Sequence, residues 1–100
     1  MLVSVEFGHA MQTGHALTSA QISICTPSSS ETLTADGTTT ATAPASNRPM
    51  AVRIVTDTAI YVSAGSAPDA SAAPRRLMLA NTEATFGCNT GDAIDVVTVA

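Results

Sequence analysis

The sequence lacks lysine and tryptophan, and it has only three aromatic residues, Phe7, Tyr61 and Phe86. Charged residues make up 12% of the 100 residues, and the four arginines are spread along the chain. Because duplex recognition needs a clustered basic surface, nucleic acid is not an expected partner. No run approaches the roughly 18 consecutive apolar residues of a membrane span, and residues 1–11 lack the pattern of a signal peptide. The sequence therefore predicts no membrane partner either.

Cysteine is also scarce, since Cys25 and Cys88 are the only two. They lie far apart in sequence, and without an export signal a structural disulfide is not the first expectation. Two buried free thiols are the favoured prediction. A single bridge that closes the loop between residues 25 and 88 is the alternative.

Small and β-branched residues are abundant instead. The apolar fraction of 45% consists mostly of eighteen alanines, eight valines and five isoleucines, which each bury little area and predict a thin core. Fifteen threonines and ten serines favour pleated, half-exposed strands over helices. A chain of this size is only marginally stable by itself, so we expect a homo-oligomer.

The fold class expected from the pattern is all-β. Period-2 alternation and turn residues predict a small antiparallel sandwich or barrel-like domain of about seven or eight short strands. Residues 1–100 are expected to form a single domain, with residues 1–19 as an extended or irregular N-terminal arm. The predicted strands cover residues 2–7, 16–25, 31–43 as a hairpin, 51–56, 60–62, 77–79, 83–88 and 94–99.

Several local features refine this expectation. Gly8 is predicted to end the first strand, and the segment that begins at Pro27 is predicted to break the second. A turn at Asp36-Gly37 predicts that residues 31–43 form a hairpin. Residues 8–19 are the best candidate for one or two helical turns. Strands 51–56 and 94–99 are expected to be central, because they are the most β-branched runs and the least charged.

The predicted core comprises the apolar positions that alternate within these strands. The side chains expected to be mostly buried are Ile22, Val52, Ile54, Ile60, Val62, Leu77, Leu79, Phe86, Ile94 and Val96.

For each titratable residue with catalytic or metal-binding potential, the sequence favours a structural role. His9 and His15 are six residues apart, which matches no helical metal pair. Asp92 is better explained as a turn residue than as an acid/base dyad with Asp95. Asp57, between two threonines, is expected to accept backbone N–H groups and to fix a bend.

Nucleophile and anion sites are not predicted either. The serines at positions 28–30 have no neighbouring base, and the six glycines never cluster into a phosphate-binding loop. Arg75 and Arg76 could form an anion clamp, but a solvated pair at the start of an edge strand is favoured. The sequence thus predicts no enzyme and no catalytic, cofactor-binding or metal-binding residue.

A wider pattern covers residues 51–99. It comprises a β-branched strand with a Thr-Asp-Thr bend, a Tyr-containing strand, a Gly/Pro/Ala-Ser loop, a leucine-rich strand and a Gly-Asp turn before the last strand. The residues that carry it are Arg53, Asp57, Tyr61, Gly65, Pro68, Ala70, Leu77, Leu79, Gly91, Asp92, Ile94 and Val96. This pattern resembles small virion proteins of tailed bacteriophages. Ala80 departs from it, standing where those proteins have proline.

The resemblance implies a non-enzymatic protein of the head decoration or cement type. Such a protein would bind the major capsid protein on the capsid surface of the virion, after synthesis in the host cytoplasm, and would most readily form a trimer. A tail- or fibre-associated adaptor is the alternative. A host- or carbohydrate-binding module is less favoured, since Tyr61 alone could stack on a sugar.

Overall fold

The computed structural model describes residues 1–13, 21–46 and 49–99, with side chains described outside residues 11–13 and 21–26. These residues form eight β-strands. In chain order they are β1 (Val3–Thr13), β2 (Gln21–Leu33), β3 (Gly37–Thr38), β4 (Met50–Thr56), β5 (Ile60–Gly65), β6 (Arg76–Met78), β7 (Thr82–Cys88) and β8 (Ala93–Thr98). The described residues contain no helical segment with the length and hydropathy of a membrane span.

The strands form two four-stranded antiparallel sheets packed together. Sheet A has the order β2-β1-β4-β7, and sheet B has the order β3-β8-β5-β6. The prediction of an all-β, sandwich-like fold is therefore confirmed. β4 and β8 each lie between two neighbours, so the prediction that these two strands are central is also confirmed.

The core lies between the inner faces of the sheets. On β4, Val52, Ile54 and Thr56 are buried while Arg53 and Val55 are only half-buried, the period-2 alternation of a strand with one face inward. On β8, Ile94 and Val96 alternate with Asp95 in the same way. The buried cluster comprises Val3, Val5, Phe7, Ala43, Val52, Ile54, Ile60, Val62, Met78, Ile94 and Val96.

Three of the predicted core positions are placed differently. Leu77 and Leu79 are 53% and 63% exposed, so their assignment to the core was wrong. Met78, which lies between them, points inward instead, because the alternation of inward and outward side chains along the strand is the reverse of the predicted one. Phe86 is half-buried and packs against the edge of the core. The side chain of Ile22 lies outside the described set.

The first hairpin continues past the residues expected to end it. Gly8 lies within β1 and Pro27 within β2, where they are paired with each other at a register irregularity. Proline is tolerated there because β2 is an edge strand, and bulges relieve the pairing on both sides of Gly8. The predictions that Gly8 ends a strand and that Pro27 breaks one were therefore wrong.

The predicted hairpin over residues 31–43 is also corrected. β2 pairs with β1 in sheet A, whereas β3 pairs with β8 in sheet B, so the bend at residues 34–36 carries the chain between sheets. Beyond β3, residues 39–43 run alongside the start of β8. The Thr39 N–H donates to the Ile94 carbonyl at 2.8 Å, and the Ala43 N–H donates to the Asp92 carbonyl at 2.9 Å.

The N-terminal residues are part of the sandwich. Val3, Val5 and Phe7 are fully buried, so residues 3–9 are not an irregular arm. Residues 8–13 are extended, which rules out helical turns there, and residues 14–20 lie outside the described part of the chain.

Candidate functional site

The carboxylates singled out in the sequence hold turns and loops. The Asp92 carboxylate accepts the Asn89 N–H at 2.9 Å, as expected for a turn residue. Asp95 accepts the Thr38 hydroxyl at 2.8 Å and the Ala70 N–H at 2.7 Å. Its partners are therefore structural and lie on β3 and in the loop before β6.

Asp57 fixes the bend between β4 and β5 as predicted. Its carboxylate accepts the Thr58 hydroxyl at 2.7 Å and the Leu2 N–H at 2.8 Å. These hydrogen bonds lower the pKa of Asp57 from its ordinary value, with the Thr58 hydroxyl as the largest cause. The bond to Leu2 also ties the start of β1 to the end of β4.

His9 and the serine run occupy positions on sheet A. His9 lies on β1 opposite Met50 of β4, and its Nδ1 lies 3.5 Å from the Ser46 hydroxyl. The Ser29 hydroxyl donates to the Thr42 carbonyl at 3.4 Å. His15 lies outside the described residues, among which no cluster of three or more metal-ligating His, Cys, Asp or Glu residues is found.

The two adjacent arginines lie over aromatic rings. The Arg75 guanidinium lies 3.6 Å from the centroid of Tyr61, and the Arg76 guanidinium lies 4.7 Å from the centroid of Phe86. Arg75 also donates to the Ala70 carbonyl at 3.3 Å. The two side chains extend toward different sheets, so they do not converge into an anion clamp.

Cys88 is free and half-buried at the end of β7. Burial, and to a lesser degree the charge of Asp92, raises the pKa of its thiol to about 11. Cys25 lies on β2, and β2 and β7 are opposite edges of sheet A. The three intervening strand spacings separate them by roughly 14 Å, which is too far for a disulfide within one chain.

A groove lies on the outer face of sheet A at the end where β1 starts. Its volume is about 380 Å³, and Leu2 and Val55 supply its apolar lining, with Thr82 and Glu83 from β7 alongside. Glu83 is paired with Arg53, which also lies 3.5 Å from Glu6. The groove is an open depression without a set of converging catalytic groups.

At the other end of sheet A, β1 and β2 continue as a two-stranded ribbon beyond the last residue pair with β4. β1 is paired with β4 from Val3 to His9, and its last backbone bond on that side joins the Ala10 N–H to the Pro49 carbonyl. From Met11 onward, β1 is paired in the described residues only with β2, with Thr13 opposite Gln21. We call the paired segments 10–13 and 21–24 the ribbon.

The two edges of sheet A differ in how they are covered. Beside β2, the Glu31 carboxylate accepts the Ala41 N–H at 2.9 Å, the Thr40 hydroxyl at 2.8 Å and the Thr40 N–H at 2.9 Å. These bonds, with that to Ala41 the largest cause, lower the pKa of Glu31 and fasten residues 40–41 along the edge. β7, the other edge, has no further strand beside it among the described residues.

Comparisons with known proteins indicate no function, so the function has to be inferred from the structural features described above. The chain matched no protein-family model, no curated protein and no solved structure. The ribbon was not predicted from the sequence, because Gly8 was expected to end the first strand; residues 21–24 lie within the predicted strand 16–25. The absence of any Asp, Glu, Lys or Arg from residues 8–30 was the signal that could have indicated a distinct segment.

Proposed function

We propose that the protein is a non-enzymatic structural subunit of a bacteriophage virion that decorates or cements the head by binding the major capsid protein. The resemblance of residues 51–99 supplies the class of protein. The ribbon is the single structural observation that carries the proposal, because it gives a rigid sandwich an extension suited to contact a neighbouring surface.

The physical chemistry of the ribbon supports binding to another protein. A two-stranded hairpin is only marginally stable in water unless a third strand or another surface packs against it. Residues 8–30 include no Asp, Glu, Lys or Arg, so the ribbon lacks the charges that commonly protect exposed strands. A protein surface that pairs with or covers these strands would stabilise them.

The other described features favour attachment over catalysis or sugar recognition. The carboxylates Asp57, Asp92 and Asp95 are engaged by turns and loops. Tyr61, the aromatic residue expected to be available for sugar stacking, lies under the Arg75 guanidinium. A carbohydrate-binding module is therefore the weaker alternative.

Sedimentation of phage heads mixed with purified protein tests the proposal. The key variant replaces residues 11–23 with Asn-Gly, so that a two-residue turn joins Ala10 and Ile24, which are already paired. The core described above lies outside the replaced segment, so the variant should keep a cooperative thermal transition. We expect the full-length protein to co-sediment with heads and the shortened variant to remain in the supernatant.

A matched pair of single substitutions separates the ribbon from the body. Ser23→Lys places a charge on the ribbon, and Thr32→Lys places the same charge on β2 within the body. Ser23→Lys should weaken head binding at least about tenfold, or 1.4 kcal/mol, while Thr32→Lys should have little effect. Binding should persist in molar salt, because the ribbon contributes no charged group.

Two outcomes would reject the head-binding proposal. If the full-length protein never co-sediments with heads, or is found only on tails, the adaptor alternative takes its place. If the shortened variant binds heads as tightly as the full-length protein, the ribbon is not the attachment element.

A further inference from the structure

Two edge strands, β6 and β7, lie next to each other on one side of the sandwich. Sheet A ends in β7, sheet B ends in β6, and the stacking of Arg76 on Phe86 places these edges next to each other. We call this surface the β6/β7 side. Both strands carry an edge with no further strand partner among the described residues.

Proteins usually protect an exposed edge with lysine, proline, a bulge or a covering loop. β7 contains neither lysine nor proline, and it pairs with β4 over seven consecutive positions without a bulge. Its one charged residue, Glu83, is paired with Arg53. The opposite edge, β2, has Pro27, register irregularities and the fastened loop at residues 40–41.

Exposed apolar side chains lie on the same side. Leu77 is on the edge strand β6, and Leu79 follows it immediately. With exposures of 53% and 63%, they are two of the three large apolar residues described as exposed. β6 is three residues long and contains Arg76, so it is the better protected of the two edges. The unprotected edge of β7, next to exposed leucines, is typical of a surface that is covered by another chain.

We propose that the β6/β7 side binds a second copy of this chain about a two-fold axis, with β7 antiparallel to β7 of the partner and β6 antiparallel to β6. A two-fold axis makes an edge strand its own complement, because antiparallel pairing reverses the direction of the second strand. Each sheet then continues from one copy into the other.

The sequence of β7 is compatible with this pairing. With Thr85 on the axis, Glu83 lies opposite Gly87 of the other copy, so no like charges face each other. Ala84 lies opposite Phe86, which places a small side chain beside a large one. On β6, Leu77 lies opposite its own equivalent, and this contact removes apolar surface from water.

The size of the interface fits a dimer. The seven residues of β7 span roughly 23 Å, and the smallest dimension of the molecule is 23 Å. The side therefore covers roughly 500 Å² per copy, or about 1,000 Å² in total, at the lower limit for a specific interface. The proposed dimer is thus expected to be reversible and concentration-dependent.

Light scattering and sedimentation velocity of the purified protein, without phage heads, test this interface separately from head binding. The expected dimer mass is about 20 kDa, twice the chain mass of 10.1 kDa. Leu77→Lys and Leu77→Glu each place like charges next to the axis, and each should raise the dissociation constant at least about tenfold. Mixing the two variants should restore the dimer, which excludes misfolding as the cause.

Thr32→Lys is the control. Thr32 is exposed and lies on β2, the edge of sheet A opposite β7 and therefore away from the β6/β7 side. This variant should dimerise like the unmodified protein. A monomer at all concentrations, a trimer of about 30 kDa, or a dimer that is unaffected by both Leu77 variants would each overturn the proposal.

Discussion

Which face of β4 points into the core can be tested by deleting the same number of carbon atoms from a buried and from an exposed position. Ile54 is fully buried in the core, whereas Leu2 is 52% exposed. Isoleucine and leucine are isomers, so Ile54→Ala and Leu2→Ala each delete the same number of carbon atoms. Any difference between the two variants therefore reports burial rather than the chemistry of the substitution.

We expect Ile54→Ala to lower the free energy of unfolding by about 2 to 5 kcal/mol, because a large-to-small change leaves a cavity in a packed core. A loss of 3 kcal/mol corresponds to a decrease in Tm of roughly 12 to 24 °C for a domain of this size. Leu2→Ala should cost less than about 1 kcal/mol, since about half of that side chain is already in water.

Urea denaturation followed by circular dichroism, with both variants measured at the same protein concentration, gives the two free energies. Equal losses for Ile54→Ala and Leu2→Ala would refute the assignment of the inner face of sheet A.

Three further predictions concern single side chains. The pKa of Glu31 is lowered in the folded chain, so the ionised carboxylate stabilises the fold fully above the ordinary pKa of 4.5, and this stabilisation is lost as the pH falls through the folded pKa. Glu31→Gln should therefore make Tm less dependent on pH below about 5, and an unchanged dependence of Tm on pH would contradict this. In a Cys25→Ser background, iodoacetamide should modify Cys88 at least about tenfold faster in urea than in the folded protein, because burial raises its pKa to about 11; equal rates would show that the thiol is accessible. Arg76→Ala should lower the free energy of unfolding, measured by urea denaturation, by about 0.5 to 1 kcal/mol, because the stacking on Phe86 is lost. An unchanged free energy would show that this contact does not stabilise the fold.

Local alternation was sufficient to predict the strands of the second half of the chain. β4, β7 and β8 coincide closely with their predicted runs, because clear turn residues stand near their ends and β4 and β8 have β-branched residues on one face. β5 begins at the predicted Ile60 but extends to Gly65, beyond the predicted end at Val62. The structural roles of Asp57 and Asp92 were predictable for a similar reason, since a carboxylate next to a turn bonds nearby N–H groups.

The errors arose where a local signal had more than one structural solution. Leu77-Met78-Leu79 is apolar at every position, so alternation could not decide which residues face inward. Gly8 and Pro27 normally interrupt strands, but facing each other at a bulge on an edge strand they do not.

Strand pairing was harder to predict than strand position. Asp36-Gly37 is a common hairpin turn, yet here the chain passes from one sheet to the other, a choice that depends on contacts with β8 distant in sequence. The ribbon and the unprotected edge of β7 depend on the order of strands in the sheets, which no local pattern specifies.

Electron cryo-microscopy of phage heads incubated with the purified protein tests the central claim most directly. We expect density for the sandwich on the outer surface of the shell, with the ribbon formed around residues 10–13 and 21–24 in contact with the major capsid protein. Heads incubated with the variant that lacks residues 11–23 should remain undecorated. Bare shells after incubation with the full-length protein, or density confined to the tail, would contradict the account.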